Sequence, residues 1–597
     1  METARVWKFG DDVDTDQIIA SQYIILPSID EMKAHTFESL DAGFAAAVAP
    51  GDVVVAGMNF GCGSSREQAP AVLKALGVRA VVAGSFARIF YRNAINIGLP
   101  VIVCAALADA VHTGDAVEVD LEGGQLAFAG QSFACTKLPQ HMQDILAAGG
   151  LLASLKAKKA EKAAPAGQAI NDGAGAGAAM PPQTMAEKII AAAAGKPFVH
   201  AGEIHTLALD QMMSNDGTTH LTIDMYNEVL GAPGVADPGR VVFVIDHNSP
   251  ADTPKTAEAH RKMRTFAQKE GIAFYEGKGV CHQLMMEHHV RPGEFIIGAD
   301  SHTCSYGALG AFGTGVGGTD FLYALVTGET WVMVPETARF HLDGTLPTGV
   351  TPRDVMLAII GDVGADGCNY QVMEFVGEGV RAMSVEERMV LANLAVEAGA
   401  KAALMEPDDK VLAYLRAHGS RTPKALYKSD EGARFITERH YDLSAMVPVV
   451  ARPDHIDDVV PAAEALGVKI DEAFLGSCNN GRLGELRAAA RLLKGRRVHP
   501  MVRFIVSPAS AAVYQQALEE GLIAVLNEAG AQVVNANCSV CWGSCQGVLG
   551  PGEVLISTGT RNFKGRAGHP DSKVYLGSAE TVTASAIKGE IATAAQL

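Results

Sequence analysis

Cys538 and Cys541 form a Cys-x-x-Cys pair within VNANCSVCWGSC, and Cys478 lies upstream in FLGSCNNGR. Apolar residues followed by Gly-Ser-Cys read as a strand delivering a thiol into a loop at its carboxyl end, where open α/β sheets carry their ligand loops. Three thiolates select soft metals: zinc, copper(I) or iron–sulfur. The same residues would also serve as a redox pair or as ordinary buried cysteines. Structural zinc calls for a fourth protein ligand, which Cys545 could supply; a [4Fe–4S] cluster on three cysteines leaves one iron open as a Lewis acid. Spacing alone leaves these readings open.

Four further segments place titratable groups beside small residues. Asp246-His247 follows the strand-like run 241–245, His282 follows a glycine-rich turn, Asp300 and His302 follow an apolar run, and Arg561 and Arg566 lie just past the cysteine pair. A lone histidine is usually structural. Two Asp/His units at strand ends, plus a third histidine in a Gly-rich loop, point instead to general-acid chemistry. The two arginines suit bidentate carboxylate binding, or simple solvation at a surface. In FGCGSSRE, Ser64, Ser65 and Arg66 stand at a helix start. That pattern is an N-cap completed by Glu67, or a set of backbone N–H groups that stabilise a serine alkoxide or a bound carboxylate.

These residues need a scaffold that presents loops. The chain has 597 residues, which at roughly 150 per domain suggests about four domains. Val53–Ala56, Ala80–Ala83, Val101–Cys104, Val241–Ile245, Glu294–Ile297 and Arg503–Val506 read as strands between helical stretches, including Ser65–Leu76, the signature of α/β architecture. Residues 154–183 are rich in Ala, Gly, Lys and Pro and read as a flexible linker, with a helical start through Lys156–Lys162. The net charge of −18 argues against nucleic acid as principal partner. No apolar run reaches the roughly 18–20 residues of a membrane span, and the N-terminus lacks a secretory signal pattern. Ten cysteines in so long a chain do not make a disulfide scaffold. A soluble, cytoplasmic, multidomain protein is expected.

At this point the sequence resembles the aconitase superfamily. GADSHTCSYGALGAFGTGVGGTD, FLGSCNNGR, NCSVCWG and TRNFKGR are similar to the catalytic block of 3-isopropylmalate dehydratase and homoaconitase large subunits. KFGDDVDTDQII, FGCGSSREQAP and SFARIFYRNAINIGLPVI are similar to their small subunit, the swivel domain. The resemblance implies the two subunits fused, swivel first: an α/β swivel over 1–153, the linker at 154–183, and a three-domain α/β/α catalytic block at 184–337, 338–450 and 451–597. It implies that Cys478, Cys538 and Cys541 ligate a [4Fe–4S] cluster with one iron not held by cysteine. It makes Ser64 the general base and His247, with Asp246, the proton donor to the leaving hydroxyl. Asp300 and His302 join that network, and His282 and Glu397 order the iron-bound water. Ser65, Arg66, Arg561, Arg566 and Asn393 bind substrate, and Cys545 has no ligand role. The partner implied is a small di- or tricarboxylate hydroxy acid; the state could be oligomeric, with the swivel closing in cis or in trans.

Substrate choice falls to the loop after Asp-Thr-Asp, which contains Ile24, Ile25 and Leu26. Residues 11–50 contain no arginine, and Lys33 is their one fixed cation. An unpaired buried carboxylate is costly, whereas an alkyl group gains from apolar contact. The expectation is isomerisation of 2-isopropylmalate to 3-isopropylmalate, a leucine-biosynthesis step, or else Ile24–Leu26 simply pack into the swivel core. The alternatives are homoaconitase or aconitase chemistry and dimethylmalate or citramalate dehydration. Further off stand a zinc hydrolase built on His247, His282, Asp300 and His302, and an RNA-binding regulator.

Overall fold

The computed structural model describes residues 2–20, 23–24, 26, 28–63, 66–120, 125–135, 138–161, 180–543 and 545–597. Ser64, Ser65 and Ile25 lie outside the described residues, as does the linker from 162 to 179. The chain forms two compact units.

The first comprises residues 1–180 with 224–236 and 315–330. Its sheet contains β1 (Glu2–Lys8), β2 (Val53–Ala56), β3 (Ala80–Ala83), β4 (Val101–Val103), β5 (Ala116–Asp120), β6 (Gln125–Phe128) and β7 (Gln131–Ala134), in the order β4-β3-β2-β1-β5-β6-β7. From β4 to β1 neighbours are parallel. From β1 to β7 they are antiparallel. VVVA and AVVA are buried at every position, as strands covered on both faces must be. The stretch expected as helix Ser65–Leu76 is helical over Gln68–Ala75, and Glu67 caps no N–H of that helix with its side chain. The helix entering the linker covers Leu151–Glu161, with Leu151 and Leu155 buried. At the other end Gln183 is buried and bonded to Val199, so the linker boundary expected at 183 falls inside packed structure.

Among the described residues the second unit carries a five-, a four- and a seven-stranded sheet, besides a two-stranded one. In the five-stranded sheet, Val241–Ile245 lies between Gln211–Asn215 and Ala273–Glu276, and Gln211–Asn215 pairs on its other side with Phe295–Gly298, all parallel. The chain starts in the middle and extends to both sides, so strand order reverses beside Gln211–Asn215. At such a switch point the carboxyl-end loops of adjacent strands part and leave a crevice. The seven-stranded sheet repeats the device. Glu472–Leu475 pairs with Arg503–Val506 on one side and Val554–Ser557 on the other, again all parallel. A third sheet, of four parallel strands, supports the apolar core around Phe340, Phe375 and Leu391. Among the described residues no helix is long and apolar enough to cross a membrane.

Candidate active site

The loops at the first switch point carry Asp216, Asp246-His247 and Asp300–His302; those at the second carry Cys478 and the 558–561 segment. The Asp246 and His247 side chains bond Oδ1 to Nδ1 at 2.8 Å. His282 Nε2 meets Asp300 Oδ1 at 2.9 Å. His302 Nε2 meets Glu397 Oε1 at 3.0 Å while its backbone N–H donates to Asp300. All three histidines are buried.

Burial and charge compete at each of these groups. For His247, burial favours the neutral ring. The Asp246 charge and hydrogen bond, then Asp216 and Asp300, outweigh it and carry the ring up to about 9. Asp300 is held well below the carboxylate range by His282 and His302, against its own burial. His302 is raised by Asp300 and Glu397 despite burial, and Glu397 is lowered by Arg561 and His302 despite its own. The result is an alternating chain of charges with a protonated His247 at its edge.

Three cysteines converge on this region. Cys478, Cys538 and Cys541 are buried, and the Cys538 backbone N–H donates to the Asp246 carbonyl at 2.8 Å. Cys541 is held well below the usual thiol range by the hydrogen bond from Cys538, against burial, with Arg566 and Thr560 adding to the effect. A Cβ at Gly559 would stand 3.3 Å from Cys541 Sγ. Among the described residues, only Asp216, Asp246 and His247 bring three ligand atoms within 4.8 Å of one another. The three thiols do not all lie within that distance of one another, although those of Cys538 and Cys541 are hydrogen-bonded. The four-residue zinc set does not converge either: its members pair through hydrogen bonds instead. Nor is the Asp216 group a metal site, because both Asp216 oxygens accept backbone N–H groups, from Asp246, His247 and Asn248.

The remaining expected residues fall at several places. Arg566 lies buried over Trp542 and Phe563, and its Nε and Nη1 have no hydrogen-bond partner among the described residues. Arg561 instead contacts Glu397 and Ser301 Oγ. Asn393 is wholly buried, accepting from Asn479 Nδ2 at 3.1 Å and lying 3.9 Å from Cys478 Sγ. Cys545 is engaged with the His247 carbonyl at 3.3 Å, and burial pushes its thiol up to about 12. In the first unit, Arg66 is buried, bonded to Asp16 Oδ1 and the Ile19 carbonyl; Ile24 is buried and Leu26 half-buried.

Several residues that hold this site were missed. Asp216 splints the His247 loop, and His260 contacts its Oδ2 at 3.3 Å. Trp542 packs edge-on against His247, its Nε1 donating to Asn248 Oδ1. Arg353, fully buried, ties the Cys478 loop to residues 558–559. Asp216 follows the strand Gln211–Asn215, but that run, QMMSN, is too polar to mark it from sequence alone. Arg353 gave only an arginine within the apolar helix Pro352–Val363.

Buried His–carboxylate pairs and three buried cysteines lie in loops that follow parallel strands of two sheets, an arrangement suited to acid-assisted chemistry on a small substrate. Residues 187–589 match the aconitase family (aconitate hydratase), and residues 27–106 match the aconitase C-terminal domain. The chain belongs to the aconitase family and is a hydro-lyase, with the C-terminal-domain segment placed ahead of the catalytic one. It is 47% identical over 411 residues to a probable 3-isopropylmalate dehydratase large subunit of Methanothermobacter thermautotrophicus, covering 68% of this chain and 98% of the relative. It is also 47% identical over 418 residues to a probable methanogen homoaconitase large subunit of the same organism, covering 69% and 97%. A solved 3-isopropylmalate dehydratase (leuD) of Methanocaldococcus jannaschii is 45% identical, covering 27% of this chain and 96% of that one, with a TM-score of 0.26.

Proposed function

We propose that the chain interconverts 2- and 3-hydroxy acids by dehydration and rehydration at a [4Fe–4S] cluster, with 2-isopropylmalate and 3-isopropylmalate as its substrate pair. One observation carries the reading: a buried His247, bonded through Nδ1 to Asp246, stands in the unit that also holds the buried Cys478, Cys538 and Cys541. The cysteine set suits the cluster by its softness and its burial. Cys478, Cys538 and Cys541 would hold it. When bound, it supplies Lewis-acid polarisation of the substrate's hydroxyl and a carboxylate.

The protein's own groups do the rest. Hydroxide is a poor leaving group, and His247 supplies the proton from Nε2 while Asp246 fixes the ring through Nδ1. Arg566, with two buried donors unpaired among the described residues, pairs a substrate carboxylate and stabilises the charge that develops on it as the α-proton leaves. Ser64 takes that proton, a role carried over from the resemblance. The Asp300–His282 and Glu397–His302–Arg561 contacts hold the neighbouring groups in place, so little reorganisation accompanies the reaction.

The alkyl substrate is supported by residues 11–50. They contain no arginine, and Lys33 is paired with Asp30 at 2.6 Å. Equal identity to the dehydratase and homoaconitase large subunits keeps a tricarboxylate as the second reading. The test is anaerobic reconstitution with iron and sulfide, then a substrate panel. Isopropylmalate should turn over faster than homocitrate, citrate, 2,3-dimethylmalate or citramalate. Faster homocitrate or citrate would reject the alkyl reading, and a colourless zinc protein would reject the cluster.

A further inference from the structure

Two of the motifs quoted above have no part in the chemistry: SFARIFYRNAIN in the small-subunit-like region, and the GGTD that ends the histidine segment. They meet inside the first compact unit. Arg92, on helix Arg88–Ile97, forms a fork with Asp320: Nε to Oδ2 at 2.5 Å and Nη2 to Oδ1 at 2.8 Å. Its Nη2 also donates to Thr330 Oγ1 at 3.1 Å. Arg92 and Asp320 are 4% and 1% exposed, so this pair is largely shielded from water. A bidentate guanidinium–carboxylate pair fixes orientation as well as distance.

Asp320 sits in the first turn of helix Gly318–Thr327, whose N-cap, Gly317, provides no side-chain cap. That cap comes from far away in sequence. Glu67 Oε2 accepts the Thr319 N–H at 2.7 Å, and its Oε1 accepts the Thr319 hydroxyl. A carboxyl oxygen there satisfies an otherwise orphaned N–H of the first turn. Gly317 permits the approach, since a Cβ there would lie 2.1 Å from Asn93 Oδ1 and 2.9 Å from Glu67 Oε2. Glu67 directly follows Arg66 in the loop that bears Ser64.

We infer that Glu67 and Arg92 are the docking anchors by which the small-subunit-like region grips helix Gly318–Thr327, and that Glu67 thereby acts as a positioning residue for the Ser64 loop. Arg92–Asp320 sets register and orientation, and Glu67–Thr319 ties the loop itself to the helix. The docking claim stands independently of the proposed chemistry. The positioning claim rests on it, through the role of Ser64.

The test uses the full chain with a protease site placed in the 165–175 stretch, folded intact and then cut. Association of the two pieces is measured by dilution and size-exclusion. Wild-type pieces should co-elute at micromolar concentration. Arg92→Ala should weaken association at least about 30-fold, because it strands a buried carboxylate. The exchange R92D/D320R should recover part of that loss. Gly317→Ala, whose φ of −82° suits alanine, should weaken association through the approach alone and so serves if Arg92→Ala does not fold. Separation of the wild-type pieces, or wild-type affinity in both Arg92→Ala and Gly317→Ala, overturns the docking claim. In the uncut chain, Glu67→Ala should lower kcat at least tenfold with KM changed less than threefold, and Glu67→Gln, which keeps a carbonyl acceptor, should restore part of it. Unchanged kcat in an active Glu67→Ala enzyme overturns the positioning claim alone.

Discussion

Replacing Arg353 with methionine removes the guanidinium that joins the two cysteine-side loops while keeping a long apolar stem. Arg353 is 1% exposed. Its Nη1 donates to Asn479 Oδ1 at 2.5 Å, Asn480 Oδ1 at 3.0 Å and the Thr558 carbonyl at 2.9 Å, and its Nη2 donates to the Gly559 carbonyl. Burial lowers its pKa only to about 10, so the charge persists at neutral pH. The variant leaves three buried acceptors unmatched, since the Thr558 carbonyl keeps the Ser477 hydroxyl as donor. At about 1 kcal/mol each, the low end for a stranded polar group, the loss is about 3 kcal/mol. It falls on two loops, so it should appear as local opening before global unfolding. With about 1.4 kcal/mol per decade, amides of 476–481 and 558–561 should exchange about 10²-fold faster in hydrogen-exchange mass spectrometry. Arg353→Lys keeps the charge, but its single ammonium cannot span both loops, and it should fall between. Exchange within about threefold of wild type in those peptides, for the methionine variant, would refute the reasoning.

His247→Gln should lower kcat by at least about 10²-fold, the usual contribution of a positioned acid, with iron content unchanged. Asp216→Asn keeps its shape but sets an amide NH2 against one of the N–H groups the carboxylate accepted. It should reduce kcat more than it moves the melting temperature, as turnover and calorimetry on the same sample would register. Cys545→Ser should leave iron per chain and turnover within about twofold, since that thiol is bound to the His247 carbonyl. His289 is held down to about 4 by burial, with His288 and Arg421 adding. The unfolded chain takes up this proton near pH 6.5 and the folded one only near 4. The contribution of at most about 3 kcal/mol is therefore complete above pH 6.5 and declines as pH falls toward 4. His289→Gln should flatten that part of a stability–pH curve from denaturant titration.

The alternation of short β-branched runs with helical stretches was enough to read parallel α/β sheets, because strands covered on both faces must be apolar throughout. Val53–Ala56, Ala80–Ala83, Val241–Ile245 and Arg503–Val506 are strands at the expected bounds. Asp246, His247, Asp300 and His302 were legible because each follows such a run, and the run's end is where a parallel sheet exposes its loops. Partnership was not legible. Glu67 looked like the cap of its own helix and instead caps one some 250 residues later. Arg353 and Asp216 look unexceptional in sequence, since their importance lies in acceptors and donors delivered by other strands.

The amino-acid order alone thus determined which side chains are available for chemistry and which strand ends present them, since periodicity and residue type are local properties. The tertiary structure decided which carboxylate each histidine meets, which thiol is drawn below its usual range and which arginine ties the cysteine-side loops together. Those outcomes depend on charge and burial summed over groups distant in sequence, and only strand order at the switch points brings such groups within a few ångströms.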